Sequence, residues 1–417
     1  MISRNDNYGY WAILPLLLGF IVFSRQCVKA WSINIWSLEL LNSFQESASI
    51  EQISSPPDDH QRAEVWLINL ALDQRRIETA QSLLTNVDLK NNPFAYSAYG
   101  RLLELSGDNA GSIEVLKESR NYQGLLLVAS RADQEGRFQD AITAAEAAWM
   151  MYPEDTALTL SKYYQKTGDY QSAEELLKTM IVIYPHTYQL EQWYLGLGAI
   201  SRVQREWDEA YTYYTYLEEH YPENHLAHIG LGWVYYERDN DKNLALDEFS
   251  AATRINPTSG DGYFAAGQLY SKDNEYSLAE EYFKKAIEND PKNRWWKLAR
   301  ANNLRSGESY PEAIDLYQEL LQEYPNWINP YIELGWTFLL FNQPEQALAV
   351  LESAVNLEKI DDPWLLFKVI RIYIWSGRLD LAARYFDIAA NKISVTTADR
   401  DAIYQIQSLQ DIIFPSD

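Results

Sequence analysis

The sequence predicts an all-α solenoid, and two observations carry that prediction. Pro222, Pro257, Pro291 and Pro325 recur 35, 34 and 34 residues apart. Each closes a block with the same internal order: a small residue, an aromatic, an alanine, a second aromatic, then the proline. A fixed period of about 34 residues describes one small unit stacked along an axis, not a globule built around a single cleft.

The elements follow in chain order. Residues 1–30 form a tail and an expected membrane anchor, because Tyr8 to Ser24 holds 17 residues without a charge. A span needs roughly 17–25 apolar residues. Tyr8, Tyr10 and Trp11 flank one edge, and Trp31 and Trp36 follow the other, as in an interfacial aromatic belt. A cleaved signal peptide is the alternative for the same segment. The expected localisation is therefore a single-pass N-terminal anchor with the solenoid on the extracytoplasmic side. Residues 31–60 are expected to hold a juxtamembrane helix and a linker centred on Ser54, Ser55, Pro56 and Pro57.

Repeating blocks then run from residue 61 to about 393. Residues 61–190 carry degenerate units, recognisable from Gly136, Phe138, Ala141 and Ala148, then Gly168, Tyr170, Ala173 and Pro185. Residues 191–393 carry regular ones. The fullest has Tyr263, Gly267 and Tyr270, a turn at Asn274, then Tyr276, Ala279, Phe283, Ala286 and Pro291. Small residues let two helices approach, aromatics fill the space between them, and proline stops the second helix. Residues 394–417 are expected to be a capping helix over Thr397 to Phe414, with Ile403, Ile406, Leu409, Ile412 and Ile413 on one stripe.

This pattern resembles the tetratricopeptide repeat, a helix–turn–helix unit, over about four fifths of the chain. The resemblance implies a right-handed α-α superhelical solenoid of about ten helix pairs. It also implies a general protein-binding scaffold, and it names no partner.

Composition narrows the function classes. Lys plus Arg is 35 and Asp plus Glu is 59, a net charge of −24 in 417 residues. Nucleic acid is excluded as a partner, since it demands a basic footprint. One cysteine, Cys27, excludes an intrachain disulfide and a cysteine-based zinc site. Gly196-Leu-Gly198 and Gly230-Leu-Gly232 have neither a preceding strand nor a following Lys-Ser/Thr, so they are not phosphate loops. His220, His225 and His228 cluster near Pro222, but His228 takes the core position that Tyr194 and Tyr263 take elsewhere. It reads as a packing residue, and no metal site is expected. No catalytic set stands out, so the chain is not expected to be an enzyme or to need a cofactor.

The resemblance does imply a concave face, lined by one side of each first helix. Carried onto this sequence, that face holds Arg202; Trp233 and Tyr236; Phe264, Gln268 and Lys272; Trp295, Asn302 and Arg305; Asn329 and Trp336; and Trp364, Phe367, Arg371 and Trp375. Trp, Tyr and Arg are the side chains that most often dominate interface energies. The expected partner is a protein or extended peptide, with a glycan in polysaccharide assembly or export as the alternative.

Overall fold

The computed structural model describes residues 61–414, apart from 86, 88, 90–92, 355–359, 361 and 394–399. Regular structure among the described residues is helical. The helices fall into ten pairs in chain order. These are α1 (Gln61–Asp73) with α2 (Ile77–Thr85), α3 (Pro93–Leu105) with α4 (Asn109–Glu118), α5 (Tyr122–Gln134) with α6 (Phe138–Trp149), and α7 (Pro153–Lys166) with α8 (Tyr170–Ile183). They continue as α9 (Leu190–Gln204) with α10 (Trp207–His220), α11 (His225–Asp239) with α12 (Lys242–Ile255), and α13 (Asp261–Lys272) with α14 (Tyr276–Asn289). The last are α15 (Arg294–Ser306) with α16 (Tyr310–Glu323), α17 (Ile328–Leu340) with α18 (Pro344–Ser353), and α19 (Pro363–Trp375) with α20 (Leu379–Ile393). The short α21 (Arg400–Gln407) and α22 (Gln410–Ile413) close the chain.

Two compact units divide it: Met1–Ala132 with Thr143–Met151, and Asp133–Ile142 with Tyr152–Asp417. In the first, Ile68, Ala71 and Leu72 of α1 pack with Ala80 of α2 and Ala95 and Ala98 of α3 in a small aliphatic core.

The second unit shows why the period is so regular. From α9 onward the turn inside each repeat places one residue in the left-handed region: Arg205, Asn240, Asn274, Glu308, Asn342 and Gly377, at intervals of 35, 34, 34, 34 and 35. That conformation lets a backbone N–H reach back and close the first helix. The bonds are Glu206 N to Ser201 O, Glu275 N to Tyr270 O, Ser309 N to Leu304 O, and Gln343 N to Phe338 O. At α11 the returning bond runs from Asp241 N to Tyr235 O, one residue wider, and this absorbs the extra residue of that turn. Second helices end at a residue just ahead of the proline, at Tyr221, Asn256, Asp290 and Tyr324, each N–H bonding four residues back.

Glycine is required where rings press on the first helices. A Cβ on Gly198 would lie 2.6 Å from the Tyr214 ring, and one on Gly230 would lie 2.4 Å from the same ring. Tyr214 is buried between these two backbones. The two glycine pairs are thus clearance for packing inside α9 and α11.

Polar ties join neighbouring repeats at nearly the repeat period. Asn224 Nδ2 donates to Glu191 Oε1 at 2.8 Å. The Tyr236 hydroxyl donates to Asp273 Oδ1 at 2.5 Å. Lys242 pairs with Asp273 at 2.6 Å and also with Glu275. Lys368 pairs with Glu333. Sequence patterning by apolar residues did not reveal these ties.

Two expectations need correction. Among the described residues no helix is long and apolar enough to cross a membrane, so single-pass anchoring and the sidedness built on it are not carried forward. Tyr8 to Ser24, and the helix and linker expected at 31–60, lie outside the described residues. The expected closing helix is broken into α21 and α22, with Leu409 N bonding Ile406 O in a tight turn between them. Ile406, Leu409 and Ile413 face the core, whereas Ile412 is exposed. One continuous helical stripe would have placed all four together.

Candidate partner-binding site

The first helices of the second unit present their outward side chains at the repeat period, and these sort into three groups. Arg202, Trp233, Gln268, Lys272 and Asn302 line one cleft of about 540 Å³. Glu237, Ser271, Phe283, Ala299, Asn303 and Ser306 complete its walls. Arg202 lies 5.8 Å from the Trp233 ring, and its Nε is buried without a hydrogen bond. Trp233 in turn meets Tyr236 edge-on at 6.1 Å. Lys272 is paired with Glu237, so part of the cleft's positive charge is already answered. Asn302 accepts a bond from the buried Tyr317 hydroxyl at 2.6 Å, which fixes its amide toward the cleft wall.

Tyr236 borders this group. Burial first, then its bond to Asp273, pushes its phenol up to about 12, so it stays a neutral donor. Phe264 serves packing instead: it stacks on the buried Trp296 at 5.5 Å and leans on Phe283 at 5.6 Å.

The second group is on α17 and α19. The Arg371 guanidinium lies 5.5 Å from the Trp336 ring, 5.4 Å from Phe367 and 5.3 Å from Trp375. Phe367 is buried and meets Trp364 edge-on at 5.9 Å, while Trp375 is 59% exposed. Cation–π contact of this kind stabilises a guanidinium by about 0.5–2 kcal/mol. It does not use the N–H donors, and Arg371 Nε is buried with no partner.

The third group was only half legible. Trp295 is 52% exposed and stands edge-on to Trp327 at 4.8 Å. Arg294 covers both rings, at 5.7 and 4.8 Å. Neither Arg294 nor Trp327 was expected here, and the signal for Arg294 would have been the three-residue Arg294-Trp295-Trp296 run.

Arg305 differs from its expected place. Its side chain is only 15% exposed, and its guanidinium lies 3.5 Å from Glu333, which also pairs with Lys368. It belongs to a buried charge cluster below the surface. Asn329 is half-buried at the start of α17 and joins none of the three groups.

The histidines find separate partners. His220 Nδ1 meets Tyr216 O at 2.9 Å, His225 Nε2 meets Asp261 at 3.2 Å, and His228 Nδ1 meets Glu248 at 2.7 Å. Ser259 also bonds Asp261. This serine, aspartate and histidine have the aspartate in the middle, so the imidazole is not placed to take the serine proton.

Comparison with a family model agrees with helix-pair repeats in the middle of the chain. Residues 196–260 and 264–326 match the family model of the tetratricopeptide repeat, and the chain carries such repeats there. The type IV pilus assembly protein PilF of Pseudomonas aeruginosa is 26% identical over 171 residues, covering 39% of this chain and 65% of that protein. The anaphase-promoting complex subunit CDC16 of Saccharomyces cerevisiae is 24% identical over 213 residues, covering 49% of this chain and 24% of that protein. The chain therefore spans less than two thirds of either relative's own length. Among solved structures, a tetratricopeptide repeat protein from Parabacteroides merdae aligns with a TM-score of 0.43 at 21% identity, covering 61% of this chain and 98% of its own.

Proposed function

We propose that this chain is a scaffold that captures a protein or extended peptide on the outward face of its first helices. The observation that carries this reading is Arg371. In a chain of net charge −24, this guanidinium has three aromatic neighbours within 5.5 Å and no acidic partner among the described residues. Its unused donors suit a carboxylate or a backbone carbonyl from a partner, and the rings beside it suit an apolar side chain. Arg202 in the cleft at Trp233 repeats the same chemistry. The two relatives are named for a pilus assembly and for a multi-subunit complex, which fits a scaffold.

The test is a peptide array probed with the intact chain and with Arg371→Gln and Trp336→Ala variants, with helicity followed by circular dichroism. Retention of peptides carrying an acidic residue beside an apolar one, lost in both variants at unchanged helicity, supports the reading. Equal retention by the variants overturns it. So does retention of polysaccharides on a glycan array with no peptide bound.

A further inference from the structure

On another face, Glu218 of α10, His228 of α11 and Glu248 of α12 bring three helices of two adjacent repeats to one point. One ligand atom from each lies within 4.8 Å of the other two. We propose that these three side chains form a binding site for a single divalent transition-metal ion, with Zn²⁺ the best match. One imidazole nitrogen and two carboxylate oxygens are a donor set this ion accepts, with water in the fourth position. Two carboxylates beside a neutral imidazole also give the charge of −2 that a divalent ion balances.

The geometry is close to what an ion needs. Ligands each about 2 Å from a tetrahedral zinc ion stand about 3.3 Å apart. His228 Nδ1 and Glu248 Oε2, on side chains 12% and 20% exposed, are already in contact at 2.7 Å. That pair opens slightly to admit the ion, and Glu218 closes the remaining gap by side-chain rotation. On binding, the proton that Nδ1 shares with Glu248 is released to solvent, the freed Nδ1 lone pair coordinates, and the imidazole carries its one remaining proton on Nε2.

The His228–Glu248 pair alone would be an ordinary packing contact. Glu218 is what that account leaves over: it makes no hydrogen bond or ion pair among the described residues, yet it faces the pair. The field at the site is negative. The same two glutamates add to the effects of burial and of Tyr211 in raising the Tyr235 phenol.

The test is calorimetric titration of the intact chain with Zn²⁺, repeated for Glu218→Gln, Glu248→Gln and His228→Gln, with Mg²⁺ as competitor. The expected result is one saturable site in the parent chain that Mg²⁺ does not displace. Losing a direct ligand should weaken it by more than the roughly 10- to 100-fold that losing an outer-shell partner costs. Glu218→Gln is the decisive variant, because that carboxylate has no hydrogen bond or ion pair to lose among the described residues. Hydrogen exchange across α10, α11 and α12 should slow on adding Zn²⁺ to the parent chain and not to this variant. Absence of a saturable site, or the same isotherm for the parent and Glu218→Gln, would overturn the proposal.

Discussion

The middle and the C-terminal repeats solve one packing problem in two ways. Between α10 and α13 the core is made of local clusters around single rings. Tyr214 organises Ala210, Leu217, Ala227, Leu231 and Val234, and Phe249 organises Ala245, Ala265, Ala266 and Leu269. From Leu298 to Ile413 the buried residues form one cluster, in which rings such as Tyr317, Phe338, Tyr373 and Phe386 sit among many branched residues, including Ile332, Leu334, Leu366, Val369, Ile370 and Ile372. A single central ring fills the space between helices in one piece, and at Tyr214 and Phe249 glycines supply the clearance for it. Branched side chains interlock across successive helices and leave slack at the backbone. Gly335 shows that slack: an added Cβ would meet the tip of Ile372 at 3.2 Å, Ala347 O at 3.4 Å and Leu351 Cγ at 3.7 Å. The same repeat length therefore yields a rigid local core in one place and a continuous, more tolerant one in another.

The largest effect should come from the charge cluster inside the continuous core. Glu333 and Lys368 have side chains only 7% and 17% exposed. Lys368→Met leaves the glutamate with Arg305 alone and should cost about 3 kcal/mol, the low end for breaking a buried pair. Urea unfolding measures this. Replacing Glu333 and Arg305 by Met as well removes every charge of the cluster and should restore most of the loss, and no restoration would mean that the cluster is not the cause.

Next in size is the glycine contrast. Gly230→Ala drives a methyl into Tyr214 and should cost about 1–2 kcal/mol after the gain in helix propensity. Gly335→Ala should be neutral or stabilising by up to about 1 kcal/mol, since propensity dominates where neighbours can yield. Equal losses in thermal melts of the two variants would abolish the distinction between the regions.

Smaller again is Glu308, an exposed residue held at a φ of 62°. Glu308→Gly relieves that conformation at the cost of extra unfolded-chain entropy, for a net gain of about 0.5–1 kcal/mol in chemical denaturation. The smallest effect concerns acid. Burial opposes ionisation of Asp273, but bonds from Lys242 and Tyr236 outweigh it, and the carboxyl lies below its ordinary value. Its contribution is complete above the unfolded pKa of about 3.9 and fades as pH falls through the lower folded value. Asp273→Asn should therefore flatten the decline of the urea midpoint below about pH 4.

The fold was largely legible because proline spacing and small-residue positions are local necessities of a helix pair. Pro222, Pro257, Pro291 and Pro325 each follow a second helix, and Gly198, Gly230, Gly232 and Gly267 each face a ring. The site was less legible. Spacing put Arg202, Trp233, Gln268, Lys272 and Asn302 on one face, and they line one cleft. Spacing could not distinguish a free arginine from a paired one. Arg305 and Arg371 both fall on first helices, but only Arg305 meets a glutamate, and that glutamate comes from the next repeat. The break between α21 and α22 was hidden for a related reason: an apolar stripe continues through a tight turn that no glycine or proline marks.

The polar ties between repeats have a consequence for how the stack is assembled. Lys242 reaches Asp273 and Glu275 in its own neighbour, but one period further on those places are Gly307 and Ser309. Lys368 reaches Glu333, whereas one period earlier that place is Ala299. A repeat that docked against the wrong neighbour would find the same shape and no counter-charge. The ties thus act as addresses, telling nearly identical modules which of their kin they belong beside.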